Sequence, residues 1–181
     1  KINTQAVLIR GAAKEYKMTK IKINLADGRS MTAQLDESAA PITCANFLKL
    51  VDSNFYNGLI FHRVIPNFMI QGGGMDASLS PKEAKPIKGE FKQNGVNNPI
   101  THKLGVLSMA RTNDPNSASS QFFICVDDCS FLDGQYAAFG SLVDKESEKV
   151  AVDISKVKTT SISWYQDVPY ESIVIKSIER V

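Results

Sequence analysis

Short runs of apolar and aromatic residues, separated by glycine, asparagine and proline, fill the chain from residue 55 to residue 143. The runs read LIFHRVI, FMIQ, GVLSMA, SQFFICV and YAAFGSLV. Runs of this length between turn-forming residues are typical of β-strands. Because no long helical pattern separates them, they favour an antiparallel barrel or sandwich over a parallel sheet. The segment 75–103 lacks periodicity, which predicts a long surface loop with at most one short strand.

Both ends of the remaining sequence also predict strands. MTKIKINL at 18–25 and MTAQL at 31–35 alternate apolar and polar residues around the turn sequence DGR, as a β-hairpin does. SIVIKSIERV at 172–181 alternates in the same way. Since unpaired edge strands invite aggregation, the last strand is expected to pair beside the first and close the sheet.

Two segments carry helical periodicity. Residues 38–54 place Pro41 at an early helical position and Asn54 where the helix would end. The second segment, EKVAVDISKVK at 148–158, has apolar residues at helical spacing, although its β-branched content leaves a strand as the alternative. The predicted buried stripe of the first helix consists of Cys44, Phe47, Leu48 and Val51.

Composition and charge limit the class of protein. The 181 residues are 43% hydrophobic and carry a net charge of +2 from scattered basic residues. This fits one domain and does not provide the basic surface that nucleic acid requires. No apolar run approaches the roughly 20 residues of a membrane span. Neither nucleic acid nor a membrane is an expected partner, and a monomer is expected because nothing demands a second subunit.

The first regular pattern begins at Met18, so residues 1–17 are predicted to be an N-terminal extension or cloning remnant and 18–181 the domain. Three cysteines make an odd count, which favours thiols in a reducing compartment. A cytoplasmic location is expected, with a leader removed before Lys1 as the alternative. The two histidines lie at spacings unrelated to the cysteines, so no metal is expected.

The segment FHRVIPNFMIQGGG at 61–74 places an arginine inside an apolar stretch. A turn near Pro66 and Asn67 joins two short strands, because asparagine tolerates the left-handed conformation of such turns. A three-residue loop, 65–67, would set Arg63 opposite Met69, whereas a two-residue loop would separate them. The three-residue loop is favoured, and it predicts that Phe61, Arg63, Met69 and Gln71 share one face. In SQFFICV, alternation predicts Gln121, Phe123 and Cys125 on one face, opposite Phe122, Ile124 and Val126.

Four segments, FHRVIPNFMIQGG at 61–73, GVLSMAR at 105–111, SSQFFICV at 119–126 and FLDGQYAAFG at 131–140, resemble those of cyclophilin-type peptidyl-prolyl cis/trans isomerases in order and spacing. The resemblance covers Met18 to Val181. It implies a mainly β fold, a closed eight-stranded antiparallel β-barrel capped by two α-helices, with a substrate groove on its outer surface. No cofactor is implied.

The resemblance also implies a role for individual residues. Arg63 would be catalytic, with Gln71 binding the substrate backbone. Phe68, Met69, Phe123 and Leu132 would form the proline pocket; Ala110, Arg111 and Gln121 would line the groove; Phe61 would lie beneath it and Tyr136 at its rim. The implied partners are proline-containing peptides and unfolded or partly folded proteins.

Three positions depart from the pattern of many eukaryotic members. Phe131, which the resemblance also implies among the substrate-binding residues, stands where they have tryptophan; this removes an N–H donor and predicts weak cyclosporin binding. Arg111 stands where asparagine is frequent, and Tyr136 where histidine is frequent. These changes leave a second interpretation open, a catalytically weak module that binds proline-containing peptides. A hydrolase using His62 is disfavoured because no nucleophile motif accompanies it.

Overall fold

The computed structural model describes residues 18–181. The interpretation of residues 1–17 as an extension therefore lies outside the described residues. None of the helices in 18–181 is long and apolar enough to cross a membrane. In chain order the strands are β1 (Lys20–Leu25), β2 (Ser30–Leu35), β3 (Leu59–Ile65), β4 (Met69–Asp76), β5 (Val106–Met109), β6 (Phe122–Cys125), β7 (Ala138–Leu142), β8 (Thr159–Ile162), β9 (Tyr165–Pro169) and β10 (Ile175–Arg180).

Eight of these strands form one antiparallel sheet in the order β10-β1-β2-β7-β5-β6-β4-β3. The last strand pairs with the first, as the alternating pattern at the two ends predicts. The two edges of the sheet then meet: Ile60 on β3 forms a bridge with Val174, which precedes β10, and the Gly58 N–H donates to the Ile175 carbonyl over 2.8 Å. The predicted eight-stranded antiparallel barrel is confirmed, with the sheet nearly closed on itself.

Large side chains fill the barrel interior. Phe61 on β3 and Phe122 on β6 are fully buried, with ring centroids 5.9 Å apart. Phe47, from the first helix, packs against both Phe122 and Phe139 on β7, with ring centroids 5.5 and 5.1 Å apart, respectively. Because side chains occupy the interior, a substrate can be bound only on the outside of the barrel.

The first helix, α1 (Pro41–Asp52), begins at Pro41 and buries the four predicted stripe residues. No side chain of its own sequence caps it. Instead, buried Glu90 accepts hydrogen bonds from the Ile42 and Thr43 N–H groups and from the Thr43 hydroxyl, over 2.9, 2.8 and 2.7 Å. A carboxylate at this position satisfies unpaired N–H groups and suits the positive end of the helix dipole.

The second predicted segment forms a helix and not a strand, α2 (Lys145–Ser155). It begins and ends three residues earlier than the predicted range 148–158. Asp144 sets its start, since the Asp144 carboxylate accepts a hydrogen bond from the Ser147 N–H over 2.7 Å. Ser147 also accepts a hydrogen bond from the Thr32 N–H on β2, which fixes the helix against the barrel.

Sequence patterning gave no indication of the hairpin β8–β9. Its strands pair outside the barrel sheet, and their exposed, half-buried and buried residues do not alternate, so the strands lack the pattern that reveals a half-buried strand. Trp164 at its tip is 80% exposed. The predicted loop at 75–103 is mainly irregular, although it also carries the end of β4 and the buried residues Glu90, Phe91 and His102.

Candidate active site

The hairpin β3–β4 places Arg63 directly opposite Gln71, with Ile65 opposite Met69. The predicted pairing of Arg63 with Met69 is therefore wrong, because the partner of Arg63 lies two residues further along β4. The loop does contain three residues, but these are 66–68, because Pro66 has no N–H to donate and pairing stops at Ile65. Asn67 takes the left-handed conformation, with φ of +60°, as predicted.

Phe61 does not share the face of Arg63, and that prediction is also wrong. The register shifts between these two residues, so that Phe61 pairs with Gly72 and turns into the barrel interior. The strands approach closely here: a Cβ on Gly72 would lie 2.6 Å from the Ile60 carbonyl oxygen. This close packing explains the glycine. Phe61 supports the sheet from inside and does not line the groove.

An open cavity of about 210 Å³ lies on the outer surface of the barrel beside Arg63. The lining combines an apolar pocket with two arginines and an amide. Its residues are Arg63, Phe68, Met69, Gln71, Ala110, Arg111, Phe123, Leu132 and Tyr136. The structure therefore brings together nine of the twelve residues that the resemblance implies.

The base of this pocket is formed by Met69 on β4 and Phe123 on β6, which lie in one apolar cluster with Cys125. Phe122 and Ile124 face the barrel interior, so the predicted alternation along β6 is confirmed. The Tyr136 ring meets the Phe123 ring edge-on, with centroids 5.8 Å apart. Leu132 and Tyr136 come from the connection between β6 and β7 and complete the outer wall.

A buried polar group supports Phe123 from behind. His102 stacks on the Phe123 ring at 6.1 Å, with Nδ1 at 2.8 Å from the Asp133 carboxylate and Nε2 at 2.8 Å from the Ser108 hydroxyl. Burial lowers the pKa of His102, although the neighbouring Asp133 carboxylate opposes the shift. Sequence reasoning missed this group because its members are far apart in the chain; the only local signal is the Asp-Gly pair at 133–134.

Arg63 borders the pocket with a partly exposed side chain. None of the ion pairs within residues 18–181 involves it. Its neighbour His62 is buried, with the side-chain Nδ1 lacking a hydrogen-bond partner. Burial, followed by the positive charge of Arg63, lowers the pKa of His62 to about 4. His62 is therefore neutral near pH 7, and the guanidinium of Arg63 is the only charge that these two residues present.

The remaining implied residues lie at the edge of the cavity. Gln121 accepts a hydrogen bond from the Gln71 amide over 3.0 Å and lines a second hollow beside the first. Gly74 leaves room for it, since a Cβ there would clash with the Gln121 Cγ. Phe131 is 64% exposed and lies outside the cavity lining, with its ring centroid 5.6 Å from that of Phe68.

The three cysteines are buried thiols. Burial raises the pKa of each of them, so they stay protonated at neutral pH. Among residues 18–181, no group of three or more His, Cys, Asp or Glu side chains is arranged to hold a metal ion.

Comparison with known proteins places this groove in a family. The family model described as "Cyclophilin type peptidyl-prolyl cis-trans isomerase/CLD" matches residues 19–180. The chain belongs to the cyclophilin-type peptidyl-prolyl cis-trans isomerase family. It is 47% identical to peptidyl-prolyl cis-trans isomerase A of Dickeya dadantii over 81% of this chain and 77% of that protein. It is 41% identical to a peptidyl-prolyl cis-trans isomerase of Acinetobacter baylyi over 96% of this chain and 90% of that protein.

Solved cyclophilins have the same fold. A cyclophilin-type isomerase of Cryptosporidium parvum superposes with a TM-score of 0.77 at 27% identity, covering 91% of this chain and 98% of that chain. A crystal structure of it in the presence of the dipeptide Ala-Pro gives a TM-score of 0.75 at 28% identity, covering 90% of this chain and 98% of that chain. The assignments of cyclophilin fold and isomerase class made from the four segments are confirmed.

Proposed function

We propose that this chain accelerates rotation about Xaa-Pro peptide bonds in unfolded or partly folded protein segments, with Arg63 as the catalytic residue. The observation that carries the proposal is the position of Arg63: a guanidinium without an ion-pair partner in residues 18–181 borders an open cavity of about 210 Å³ with apolar side chains in its lining.

The reaction requires a twisted amide to be stabilised. Resonance along the C–N bond sets a barrier of about 18–20 kcal/mol, and no covalent bond breaks during rotation. In the twisted state the prolyl nitrogen becomes pyramidal and regains a lone pair. The Arg63 guanidinium can donate a hydrogen bond to that lone pair, and it stays charged at any physiological pH. Lowering the barrier by about 7 kcal/mol would accelerate rotation by roughly 10⁵.

The apolar pocket and the Gln71 side chain have separate roles. Met69 and Phe123 hold the proline ring by apolar contact, so that the rest of the peptide rotates about a fixed group. Gln71, directly opposite Arg63 across the hairpin, holds the backbone of the same peptide. All four side chains stand on hydrogen-bonded strands, which keeps the arrangement rigid: Arg63 on β3, Met69 and Gln71 on β4, and Phe123 on β6.

The test is the cis-to-trans rate of a short Ala-Pro peptide with the wild-type protein, Arg63→Ala and Arg63→Lys. Removing the donor is expected to reduce kcat/KM by at least roughly 100-fold. Lysine should restore little, because it lacks the planar fork. Arg29→Ala is the matched control, since Arg29 is a surface arginine paired with Asp27.

The rival function, a proline-binding module, predicts a different result. The wild-type protein would bind the peptide and leave its rotation at the uncatalysed rate. Full activity of Arg63→Ala would instead show that the pocket alone catalyses the reaction and would remove Arg63 from its proposed role.

A further inference from the structure

The Arg111 guanidinium is held in place by three hydrogen bonds and two aromatic rings. Its Nε and one Nη both donate to the Gln135 carbonyl oxygen, over 3.1 and 2.8 Å, and the other Nη donates to the Thr112 carbonyl oxygen over 2.9 Å. The guanidinium also lies over the Phe91 and Tyr136 rings, 5.0 and 4.7 Å from their centroids. A planar cation fixed between two rings has lost most of its rotational freedom before any ligand binds.

These contacts leave the charge of Arg111 uncompensated. Both acceptors of its three hydrogen bonds are neutral carbonyl oxygens, and no ion pair within residues 18–181 includes Arg111. Three of the five N–H groups of the guanidinium are occupied, which leaves two to donate to a ligand.

Arg111 lines both the proline cavity and the second hollow beside it, which has a volume of about 250 Å³. The rest of that hollow is polar and neutral, with the side chains of Thr112, Ser117 and Ser119 among its lining. Asp114 and Glu83 line the next hollow outward and not this one. The second hollow therefore presents one fixed cation, several hydroxyl groups and no carboxylate.

We infer that the second hollow binds an acidic side chain close to the substrate proline, and that Arg111 makes this isomerase selective for such substrates. The inference rests on the proposed function, because it concerns the same groove. The two cavities share Gln71, Ala110 and Arg111, so a chain with its proline in one can reach the other within two residues, at about 3.8 Å between successive Cα atoms. A carboxylate there would accept hydrogen bonds from Arg111 and from the Ser119 hydroxyl, since the Thr112 hydroxyl already donates to Ser117 and the Ser117 hydroxyl to the Asp114 carbonyl oxygen.

The experiment uses peptides that carry Glu, Gln or Lys at one of four positions: the two residues before the proline and the two after it. At about 10 mM ionic strength, where screening extends over about 30 Å, we expect Glu at one position to raise kcat/KM roughly three- to fivefold over Gln, with Lys below Gln. The preference should fade at about 1 M salt, where screening extends over only about 3 Å.

Replacing Arg111 would also remove its contacts with Gln135 and Tyr136, so the variant chosen for the test keeps the arginine in place. Ser119→Asp introduces a fixed carboxylate into the hollow, at a side chain that makes no hydrogen bond within residues 18–181. This variant should lose the preference for Glu or reverse it toward Lys. Ser119→Asn, of matching shape and no charge, should keep it.

Equal kcat/KM for Glu and Gln at all four positions would overturn the inference, as would an unchanged Glu preference in Ser119→Asp. If no peptide is accelerated, the proposed function fails separately. The dissociation constants of the same peptides then decide the inference: tighter binding of a Glu peptide supports it, and equal binding of Glu and Gln overturns it.

Discussion

The side-chain Nε2 of Gln71 donates a hydrogen bond to the Oε1 of Gln121 over 3.0 Å. Gln71 lies on β4, and Gln121 immediately precedes β6, the strand that pairs with β4. The bond uses one donor of the Gln71 amide and leaves its oxygen and second N–H available to a peptide. Gln121 thereby fixes the direction of an amide that faces Arg63 across the hairpin.

Gln121→Leu should release the Gln71 amide without emptying the space beside it. We expect kcat/KM to fall roughly three- to tenfold, mainly through KM, since one neutral hydrogen bond is worth about 1 kcal/mol. Gln71→Ala should cost at least as much. In the double variant the two losses should not add, because Gln121 acts through Gln71. Additive losses would show that Gln121 contacts the substrate independently.

Glu90→Ala should destabilise the fold without touching the groove. The substitution leaves the N–H group of fully buried Thr43 without an acceptor, and the part-buried N–H group of Ile42 with it. We expect the free energy of unfolding to fall by about 2–4 kcal/mol in denaturant titrations. Glu83→Ala, an exposed carboxylate of the same segment, is the control and should stay within about 0.5 kcal/mol of wild type.

His62 should make stability depend on pH in a defined window. Its pKa is 6.5 ordinarily and about 4 in the folded state. The unfolded chain therefore binds the proton first, so the stabilisation is complete above pH 6.5 and is lost as the pH falls toward 4. The loss should reach about 3 kcal/mol at 1.36 kcal/mol per unit. Unfolding free energies of wild type and His62→Gln measured across this range should converge at the acid end, and parallel curves would contradict the assignment.

Phe131→Trp should strengthen cyclosporin binding. The exposed Phe131 ring lies beside Phe68 at the edge of the cavity and offers no hydrogen-bond donor, whereas an indole adds one N–H. We expect inhibition of the wild type to be weak and the variant to be inhibited roughly tenfold more tightly, about 1.4 kcal/mol. Phe131→Tyr, which adds an O–H donor at a different place on the ring, is the control for the position of the donor. Submicromolar inhibition of the wild type would contradict this expectation.

Features set by local periodicity could be predicted from the sequence. Alternation identified the barrel strands and the inward and outward faces of β6, and the 3.6-residue repeat identified the buried stripe of α1. For the hairpin β3–β4, the pattern fixed which side Arg63, Met69 and Gln71 share but not the pairing. Moving the loop by one residue leaves those three on the same face, so hydrophobic patterning does not distinguish the two registers.

Features that depend on distant residues could not be predicted. The capping of α1 depends on Glu90, which lies 48 residues after Ile42 and 47 after Thr43 in the sequence. The contact between His102 and Asp133 joins residues that are 31 positions apart. The anchoring of Arg111 to the Gln135 carbonyl oxygen likewise has no local pattern. In each case a polar group is satisfied by whichever acceptor the fold brings near, and only the fold identifies that acceptor.

The two walls of the groove differ in how they are built. Arg63 and Phe123 stand on strands whose backbone amides are paired on the barrel sheet, whereas Leu132 and Tyr136 stand on the connection between β6 and β7. Amide hydrogens on the strand side should therefore exchange with solvent far more slowly than those of the connection. The Leu132 side of the pocket can then adjust to prolines in differently shaped chains, while Arg63 keeps its position on the paired strand.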